Sequence, residues 1–380
     1  MPFDLRPATE AELCDVVADA AHSGTRLSLR SGGSKRDIGA PIGEARTVDL
    51  RRFAGIVDYD PPELMLTVRP GTPLAEIEAL VASKNQMLPF EPFDHGPLFG
   101  RAPSEATIGG IVAAGVAGSR RVSSGSARDH LLAVRAVSGR GECFVGGAKV
   151  VKNVTGYDIP KLIAGSWGRL AAITELTLKV LPAPRADATQ ILTGLDPEQA
   201  VAAMAAAMGS KADVAAAAHR PGSTSVTAFR IQGFPASVAA RCKGLAKHLA
   251  AFGHLHDPGE EEAQGIWSDL RTLAPLPLDV PLWRISVPPA AGGTLVRRLE
   301  QRGANWLLDW AGGLAWVATA IEGVREEAAA AGGHCTLVRG PAELRARVPA
   351  LHPPAPAIQA LEQRVRRAFD PAGVFETGRF

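Results

Sequence analysis

The chain has 380 residues, whereas a single domain usually has about 150, so we expect two domains. Hydrophobic residues make up 46% and charged residues 21%, a composition that excludes general disorder and allows a sizeable core. Lys and Arg number 41 against 39 for Asp and Glu, and this near balance argues against nucleic acid as a partner. Glycine is abundant, with 40 residues, and its distribution along the chain is therefore informative.

The cysteines and the N-terminus bear on compartment and metal content. The four cysteines lie far apart without a CxxC pair, which argues against a zinc site, a cysteine-ligated iron–sulfur cluster and a disulfide framework. The first residues lack the basic and apolar segments of a signal peptide, and the longest apolar runs are too short to cross a bilayer. We therefore expect a cytoplasmic protein without a membrane span and without a bound metal.

The first part of the chain alternates strands, turns and helices. Thr9 opens the first helix with a capping box to Glu12, and the alternation over residues 26–30 predicts a strand. A second strand over residues 64–69 precedes a helix, for which we expect Thr72 as the N-cap. This order predicts an α/β or α+β domain.

Further strands follow, and then the pattern changes. Residues 131–137 read as a strand with a hairpin turn into residues 143–145, and a later strand ends at Pro182. The Pro182–Pro184 pair is the best candidate domain boundary. Beyond it, four helical runs are expected over residues 197–208, 237–251, 292–301 and 323–331. Four strand-like runs alternate with them over residues 225–231, 282–287, 315–319 and 335–338.

Five of the six tryptophans lie in this later part, at positions 267, 283, 306, 310 and 316. Core packing is the favoured interpretation for these rings, and an aromatic cage for a substrate is the alternative. The last part of the chain is expected to form a basic amphipathic helix over residues 355–369.

One glycine cluster directly follows the first strand. It consists of Ser31, Gly32, Gly33, Ser34 and Lys35. Successive backbone N–H groups in such a turn form a concave anion site, and glycine lets a phosphate approach the backbone closely. The cluster fits neither the P-loop pattern nor the GxGxxG dinucleotide pattern. An ordinary strand-to-loop turn is the alternative reading.

A second glycine cluster lies about 75 residues further on. Thr107, Gly109 and Gly110 would open a helix whose free N–H groups face an anion. Ala117 and Gly118 would then keep a surface bare enough for a flat ring or a diphosphate. Close packing between helices through small residues is the alternative. Two such sites in one domain favour a large ligand that contains a diphosphate.

Several longer segments together carry a family resemblance. They are SGGSKRDIG, YDPPELMLTVRPGTPLAEIEALV, QMLPFEP, TIGGIVAAGVAGSRRVSSGSARDHLL, KNVTGYDIPKLIAGSWGRLAAITELTLKVLPAPRA and FDPAGVFETGRF. With these segments, nearly the whole chain resembles the FAD-binding subunits of bacterial glycolate oxidases (glycolate dehydrogenases), in the vanillyl-alcohol-oxidase or PCMH-type flavoprotein family. The resemblance implies an α+β fold, with a FAD-binding domain of two α+β lobes over residues 1–184. A cap domain with an antiparallel sheet would span residues 185–350, and the tail 351–380 would return to the first domain.

The resemblance also implies site residues. The loop from Ser31 to Lys35 would hold the diphosphate, and Thr107, Gly109 and Gly110 would form a second wall. The resemblance places Ala117 and Gly118 beside the ring system, Gly125 before the next strand, and Ile173 at the adenine end. The FAD would be noncovalent, because neither the loop over residues 31–39 nor the nearby segments offer an obvious attachment residue. His95 and His130 are the nearest histidines, and a structural role is favoured for both.

Two departures from the family bear on catalysis. The tail has Glu376 where the family often has a neutral residue, and the HxGDGNxH motif of catalytic D-2-hydroxy-acid flavoproteins is missing. The segment from His254 to Asp257 reads as a solvated loop rather than a metal site. Arg230 and Arg284, on expected strands, are candidates for anchoring a substrate carboxylate, but no catalytic base is identified.

The resemblance therefore implies a subunit that binds FAD and shares or relays electrons during the oxidation of glycolate. A homologous large flavin subunit would perform most of the chemistry, and an iron–sulfur subunit would pass electrons to a membrane quinone. These partners would bring the chain to the inner face of the membrane. The alternatives are a self-sufficient FAD-dependent oxidase or dehydrogenase of another alcohol or hydroxy acid, and a flavin-free structural subunit.

Overall fold

A computed structural model describes residues 5–103, 105–148 and 156–380 of the chain. Its α-helices are α1 Glu10–Ser23, α2 Leu74–Ala82, α3 Ile108–Ala114, α4 Arg121–Ser124, α5 Ala127–His130, α6 Ile159–Ile163, α7 Pro197–Met208, α8 Pro235–His248, α9 Glu260–Thr272, α10 Pro289–Glu300, α11 Val324–Ala330, α12 Ala342–Arg347 and α13 Pro356–Phe369. Short 3-10 helices cover Pro97–Phe99, Ala250–Phe252 and Trp310–Gly312. The predicted loop that begins at Lys152 lies outside the described residues as far as residue 155.

The strands complete the list of elements. They are β1 Leu27–Arg30, β2 Arg46–Asp49, β3 Ile56–Asp60, β4 Met65–Val68, β5 Gln86–Met87, β6 Leu131–Ser138, β7 Cys143–Gly147, β8 Ala171–Lys179, β9 Leu181–Pro182, β10 Ala186–Thr193, β11 Val214–Arg220, β12 Val226–Gly233, β13 Leu282–Ser286, β14 Asn305–Asp309, β15 Leu314–Ala318 and β16 His334–Arg339. Helices and mostly antiparallel strands alternate, so the fold is α+β as predicted.

The first two helices show what local sequence determines. Thr9 caps α1 by accepting the backbone N–H of Glu12, while the Glu12 carboxylate accepts the N–H of Ala8. The expected N-cap of α2 is wrong by one residue, because Pro73 occupies that position. The Thr72 hydroxyl instead donates to the carbonyl of Arg69 at 2.7 Å and accepts the N–H of Gly55. The Thr72 hydroxyl therefore stabilises the loop before α2 and does not cap the helix.

In the first part of the chain, the described residues form two main sheets and a short antiparallel pair of β5 with β9. Strands β1 and β2 pair in parallel, and α1 packs beside them on a small apolar core. The larger sheet has five strands in the order β3-β4-β8-β6-β7, and all its pairs are antiparallel. Both lobes of the expected FAD-binding fold are present. The turn that follows β1 and the start of α3 lie close together.

The second part is built on a sheet of seven strands in the order β10-β12-β11-β14-β15-β13-β16. One face of this sheet packs against α7, α8, α10 and α11 around a core of its own. The other face contributes residues to a core shared with the first part of the chain, among them Leu282, Leu314 and Trp316. The sheet therefore covers the first part directly.

The last helix and the tail lie against the first part of the chain. Helix α13 has the bounds expected from its pattern to within one residue, and the ring of Phe369 at its end packs at a tilt against that of Phe144. The final residues then reach the turn after β1, where the Arg379 guanidinium donates to the carbonyl of Ile38 at 2.6 Å. The division of the chain at residue 184 stays a prediction, since the shared core crosses it.

None of the helices within the described ranges is long and apolar enough to span a membrane. The five later tryptophans are all buried, which agrees with the core interpretation. Trp310 differs from the others, because its ring also faces two arginine side chains.

Candidate functional site

The turn after β1 has the shape of an anion site. Gly33 has φ of 93°, a left-handed conformation that favours glycine, and its carbonyl accepts the N–H of Arg36 at 3.0 Å. Lys35 is buried, and its ammonium group contacts the Ser34 hydroxyl at 3.4 Å. The turn therefore combines a glycine in the left-handed conformation with one buried positive charge.

The second glycine cluster lies directly beside this turn. Thr107 is the N-cap of α3 and its hydroxyl accepts the N–H of Gly110, as the sequence predicts. The hydroxyls of Ser31 and Thr107 are hydrogen-bonded at 2.7 Å, which joins two segments 76 positions apart. At Gly32 the two segments touch, since a Cβ there would lie 1.5 Å from the carbonyl oxygen of Glu105. Glycine at position 32 is thus required for the packing.

A cavity of about 360 Å³ lies between the two clusters. This volume falls within the range of about 300–1,000 Å³ that is usual for small-molecule sites. Eight of the residues predicted for the cofactor site line it: Ser31, Gly33, Ser34, Lys35, Thr107, Gly109, Gly110 and Ile173. The structure therefore brings together the loop, the helix start and the expected adenine end.

Four predicted residues do not line this cavity. Gly32 contacts the segment of Glu105, while Ala117 packs against the shared core. Gly118 donates its N–H to the carbonyl of Phe90 and accepts the indole N–H of Trp310 at 3.0 Å.

Gly125, the fourth of these residues, has φ of 78°, and a Cβ there would lie 2.8 Å from a carboxylate oxygen of Asp129. Backbone conformation and packing therefore explain why position 125 is a glycine. A place for Ala117 and Gly118 beside a flavin ring stays a prediction, and so does a cofactor contact for Gly125.

The cavity carries an excess of positive charge. Its lining includes five cationic residues, Arg30, Lys35, Arg36, Arg345 and Arg379, against two acidic ones, Asp37 and Glu105. Burial lowers the pKa of Lys35 to about 8, with a raising contribution from Asp94 and a further lowering by Arg379. An anionic ligand beside this lysine would raise its pKa again and stabilise the charged form.

Three lining residues were missed by the sequence reasoning. Arg345 comes from α12 and donates to the carbonyl of Gly39 at 2.9 Å, and Arg379 comes from the tail. Trp167 has φ of 58° and its ring lies 4.7 Å from that of Phe380. These residues lie far from the glycine clusters in sequence, so only the fold shows them. Arg379 lies in the family-like segment FDPAGVFETGRF, and Trp167 lies in the family-like segment that contains Ser-Trp-Gly. These two segments were the available signal in the sequence.

The residues present fit the FAD that the fold implies. A dinucleotide needs a groove with bare backbone for its diphosphate, and Gly110 provides it, because a Cβ there would find only Thr107 Oγ1 at 3.4 Å and Lys35 Nζ at 4.0 Å. The excess of cationic side chains matches the charge of a diphosphate. Among the described residues, no group of three or more His, Cys, Asp or Glu side chains could hold a metal ion.

The structure also shows the surroundings of the other residues that the sequence singled out. The Arg230 guanidinium is ion-paired with Glu91 at 2.5 Å and stacks on Trp267, so it is not available to anchor a substrate. Glu376 is ion-paired with Arg366 at 2.7 Å and does not line the main cavity. The rings of His254 and His256 stack at 6.2 Å, with His254 exposed to solvent, as expected for a solvated loop.

Comparison with known proteins first defines the class. A sequence model described as an FAD binding domain matches residues 2–147, which contain both glycine clusters. Among solved structures, alkyldihydroxyacetonephosphate synthase superposes with a TM-score of 0.67 at 16% identity, covering 97% of this chain and 75% of that one. The chain is thus an FAD-binding flavoprotein with the PCMH-type fold.

A curated relative defines the family. The chain is 34% identical over 371 residues to glycolate oxidase subunit GlcE of Escherichia coli (strain K12), covering 97% of this chain and 96% of that protein. It therefore belongs to the GlcE family of FAD-linked oxidoreductases. It is also 31% identical over 134 residues to glycolate oxidase subunit GlcD of Bacillus subtilis (strain 168), covering 35% of this chain and 27% of that protein.

Proposed function

We propose that this chain is the FAD-binding subunit of a glycolate oxidase or dehydrogenase and takes part in the oxidation of glycolate, a 2-hydroxy acid, to glyoxylate. One observation carries the proposal: the cation-lined cavity lies between two glycine clusters in a chain similar to GlcE along nearly its whole length. A flavin-free structural subunit would have no need for this cavity. The FAD would be held noncovalently.

The lining of the cavity suggests which residues would bind each part of FAD. The backbone of Ser31–Ser34 and the ammonium of Lys35 would bind the diphosphate, with Thr107, Gly109 and Gly110 on the opposite wall. Ile173 would contact the adenine end, Ala117 and Gly118 would lie toward the ring system, and Gly125 would contact the cofactor just before the next strand. Bound FAD would supply the acceptor for the two electrons removed from the hydroxy acid.

The partners follow from the names of the relatives and from the family resemblance. A homologous large flavin subunit, similar to GlcD, would perform most of the substrate chemistry. An iron–sulfur subunit would accept the electrons and pass them to a membrane quinone. The chain would then reach the inner face of the membrane through these partners.

An anaerobic absorbance experiment tests the proposal. The purified chain is incubated with FAD, freed of unbound flavin, and then mixed with glycolate, first alone and afterwards with the two partner subunits. We expect a bound flavin band that glycolate bleaches rapidly only when the partners are present. A chain without a flavin band would contradict the cofactor assignment.

The same experiment also tests the division of labour. If the chain alone oxidised glycolate at the rate of the full complex, the large subunit would not be needed for the chemistry. A self-sufficient enzyme is therefore the second candidate function. The observation that favours it is the position of Arg284, a cation inside the protein with no carboxylate partner among the described residues.

A further inference from the structure

Arg284 lies on the face of the seven-stranded sheet that covers the first part of the chain. Its neighbours on β13, Trp283 and Ile285, are buried in the core on the opposite face. Across the sheet, Arg284 is paired with Trp316 on β15 and with Thr336 on β16. The guanidinium lies 4.8 Å from the centre of the Trp310 ring and 5.9 Å from that of Trp316. Two indole rings therefore fix its position.

This guanidinium has no charged partner. Within residues 5–103, 105–148 and 156–380, Arg284 forms neither a hydrogen bond nor an ion pair. Burial lowers its pKa to about 10, with a further lowering by Arg121 and an opposing contribution from Asp309. Arginine inside a protein is ordinarily paired, as Arg230 is with Glu91, because an unpaired charge there is costly. Arg284 nevertheless keeps some solvent-accessible surface, so it is not completely enclosed in the core.

The backbone beside Arg284 is strained and firmly held. Trp310 and Ala311 have φ of 53° and 55°, in the left-handed region that non-glycine residues avoid. The buried Asp309 carboxylate holds this turn by accepting the Ser119 hydroxyl at 2.8 Å and the Trp310 N–H at 2.7 Å. Such strain occurs preferentially at functional sites, where the surrounding structure maintains it. Here it fixes the Trp310 ring against Arg284.

A buried histidine connects this place with the cofactor cavity. His95 is 7% exposed, and its Nδ1 has no hydrogen-bond partner among the described residues. Burial, together with Lys35 and Arg284, holds the pKa of His95 well below its usual range. His95 is therefore neutral and lies in the field of both cations. Strand β16, which pairs with β13, is an edge strand of the sheet, and His334 on it is exposed.

We propose that Arg284, supported by Trp310 and with His95 nearby, binds the carboxylate group of a small hydroxy or oxo acid in this subunit. A guanidinium offers two parallel N–H donors to a planar carboxylate, and it is the group of choice where the anion is small and desolvated. The diphosphate of FAD has its own cations at the cavity. The identification of the acid as a 2-hydroxy acid rests on the proposed function.

Calorimetric titration of the FAD-loaded chain with oxamate, an unreactive small carboxylate, tests this proposal. We expect saturable binding that Arg284→Gln weakens at least ~10-fold and that Arg284→Lys partly restores. Arg297→Gln is the matched control, because Arg297 pairs with Asp196 on the surface of the same domain, and it should leave the affinity unchanged. Equal oxamate affinity in wild type and Arg284→Gln would overturn the proposal.

A comparison of ligands avoids dependence on the folding of a variant. Glycolamide has the size of glycolate but no carboxylate, and we expect it to bind the wild-type chain at least ~10-fold more weakly than glycolate does. Equal binding of the two would overturn the proposal. Flavin content is measured in the same samples. Loss of flavin would contradict the proposed function, whereas a flavin-loaded chain that binds no carboxylate would contradict this inference alone.

Discussion

Replacing Gly110 by alanine should separate cofactor binding from folding. An added Cβ would find only Thr107 Oγ1 at 3.4 Å and Lys35 Nζ at 4.0 Å, so the folded chain has room for it. Alanine is favoured over glycine in a helix by about 0.5–1 kcal/mol, and the free energy of unfolding should not fall. The methyl group would, however, lie on the cavity wall where the diphosphate approaches. Forcing a methyl group into a fitted site costs ~1–3 kcal/mol, which corresponds to a roughly 5- to 150-fold loss of FAD affinity.

The assay is a titration of the flavin-free chain with FAD, read by flavin fluorescence, together with urea unfolding in the absence of FAD. Gly244→Ala is the matched control, because Gly244 lies in helix α8 with nothing within 4 Å of an added Cβ. It should gain similar stability and keep wild-type FAD affinity. If Gly110→Ala bound FAD as tightly as Gly244→Ala, the diphosphate would not lie against α3.

Three further variants test the account. Gly109→Ala would place a Cβ 2.4 Å from Pro70 Cβ, and overpacking should lower the free energy of unfolding by ~1–3 kcal/mol in urea titrations without FAD. Lys35→Met should weaken FAD binding about 10- to 100-fold. In the wild type we expect the FAD affinity to fall above pH 8, where Lys35 loses its proton, and the variant should not show this fall. Equal FAD affinity and equal pH dependence in the two proteins would contradict the role of Lys35. Burial raises the pKa of Asp309 to about 7, so the native state binds more protons than the unfolded state between pH 4 and 7, and its stability falls across that window. The free energy of unfolding of Asp309→Asn should therefore rise relative to that of the wild type as the pH is raised from 5 to 8, by on the order of 2 kcal/mol. A difference between the two proteins that does not change with pH would refute this.

The sequence predicts an element well where local signals agree. Helix α7 begins and ends as expected, because Asp196 caps it and Pro197 occupies its first turn. Strand β11 was missed, since four consecutive alanines over residues 215–218 favour a helix locally. Burial between β12 and β14 overrides that preference. Helix α9 was not predicted either, although its acidic first turn is typical of a helix start.

The candidate site, too, could be predicted from the sequence only where the signal is local. The loop from Ser31 to Lys35 and the helix start at Thr107 could be predicted, because backbone conformation and capping are encoded locally. Arg345 and Arg379 could not, because they reach the cavity only through the packing of the later part of the chain and the return of the tail. The choice between Arg230 and Arg284 as anchors also required the fold. Only the structure shows that Arg230 is ion-paired and that Arg284 has no ion pair among the described residues.

The most direct test of the central claim is a crystal structure of the chain reconstituted with FAD. Our account predicts electron density for the diphosphate between the loop Ser31–Lys35 and the start of α3 at Gly110, with the Lys35 ammonium in contact with a phosphate oxygen. A diphosphate bound elsewhere on the chain, or a cavity that stays free of FAD at saturating concentration, would contradict it.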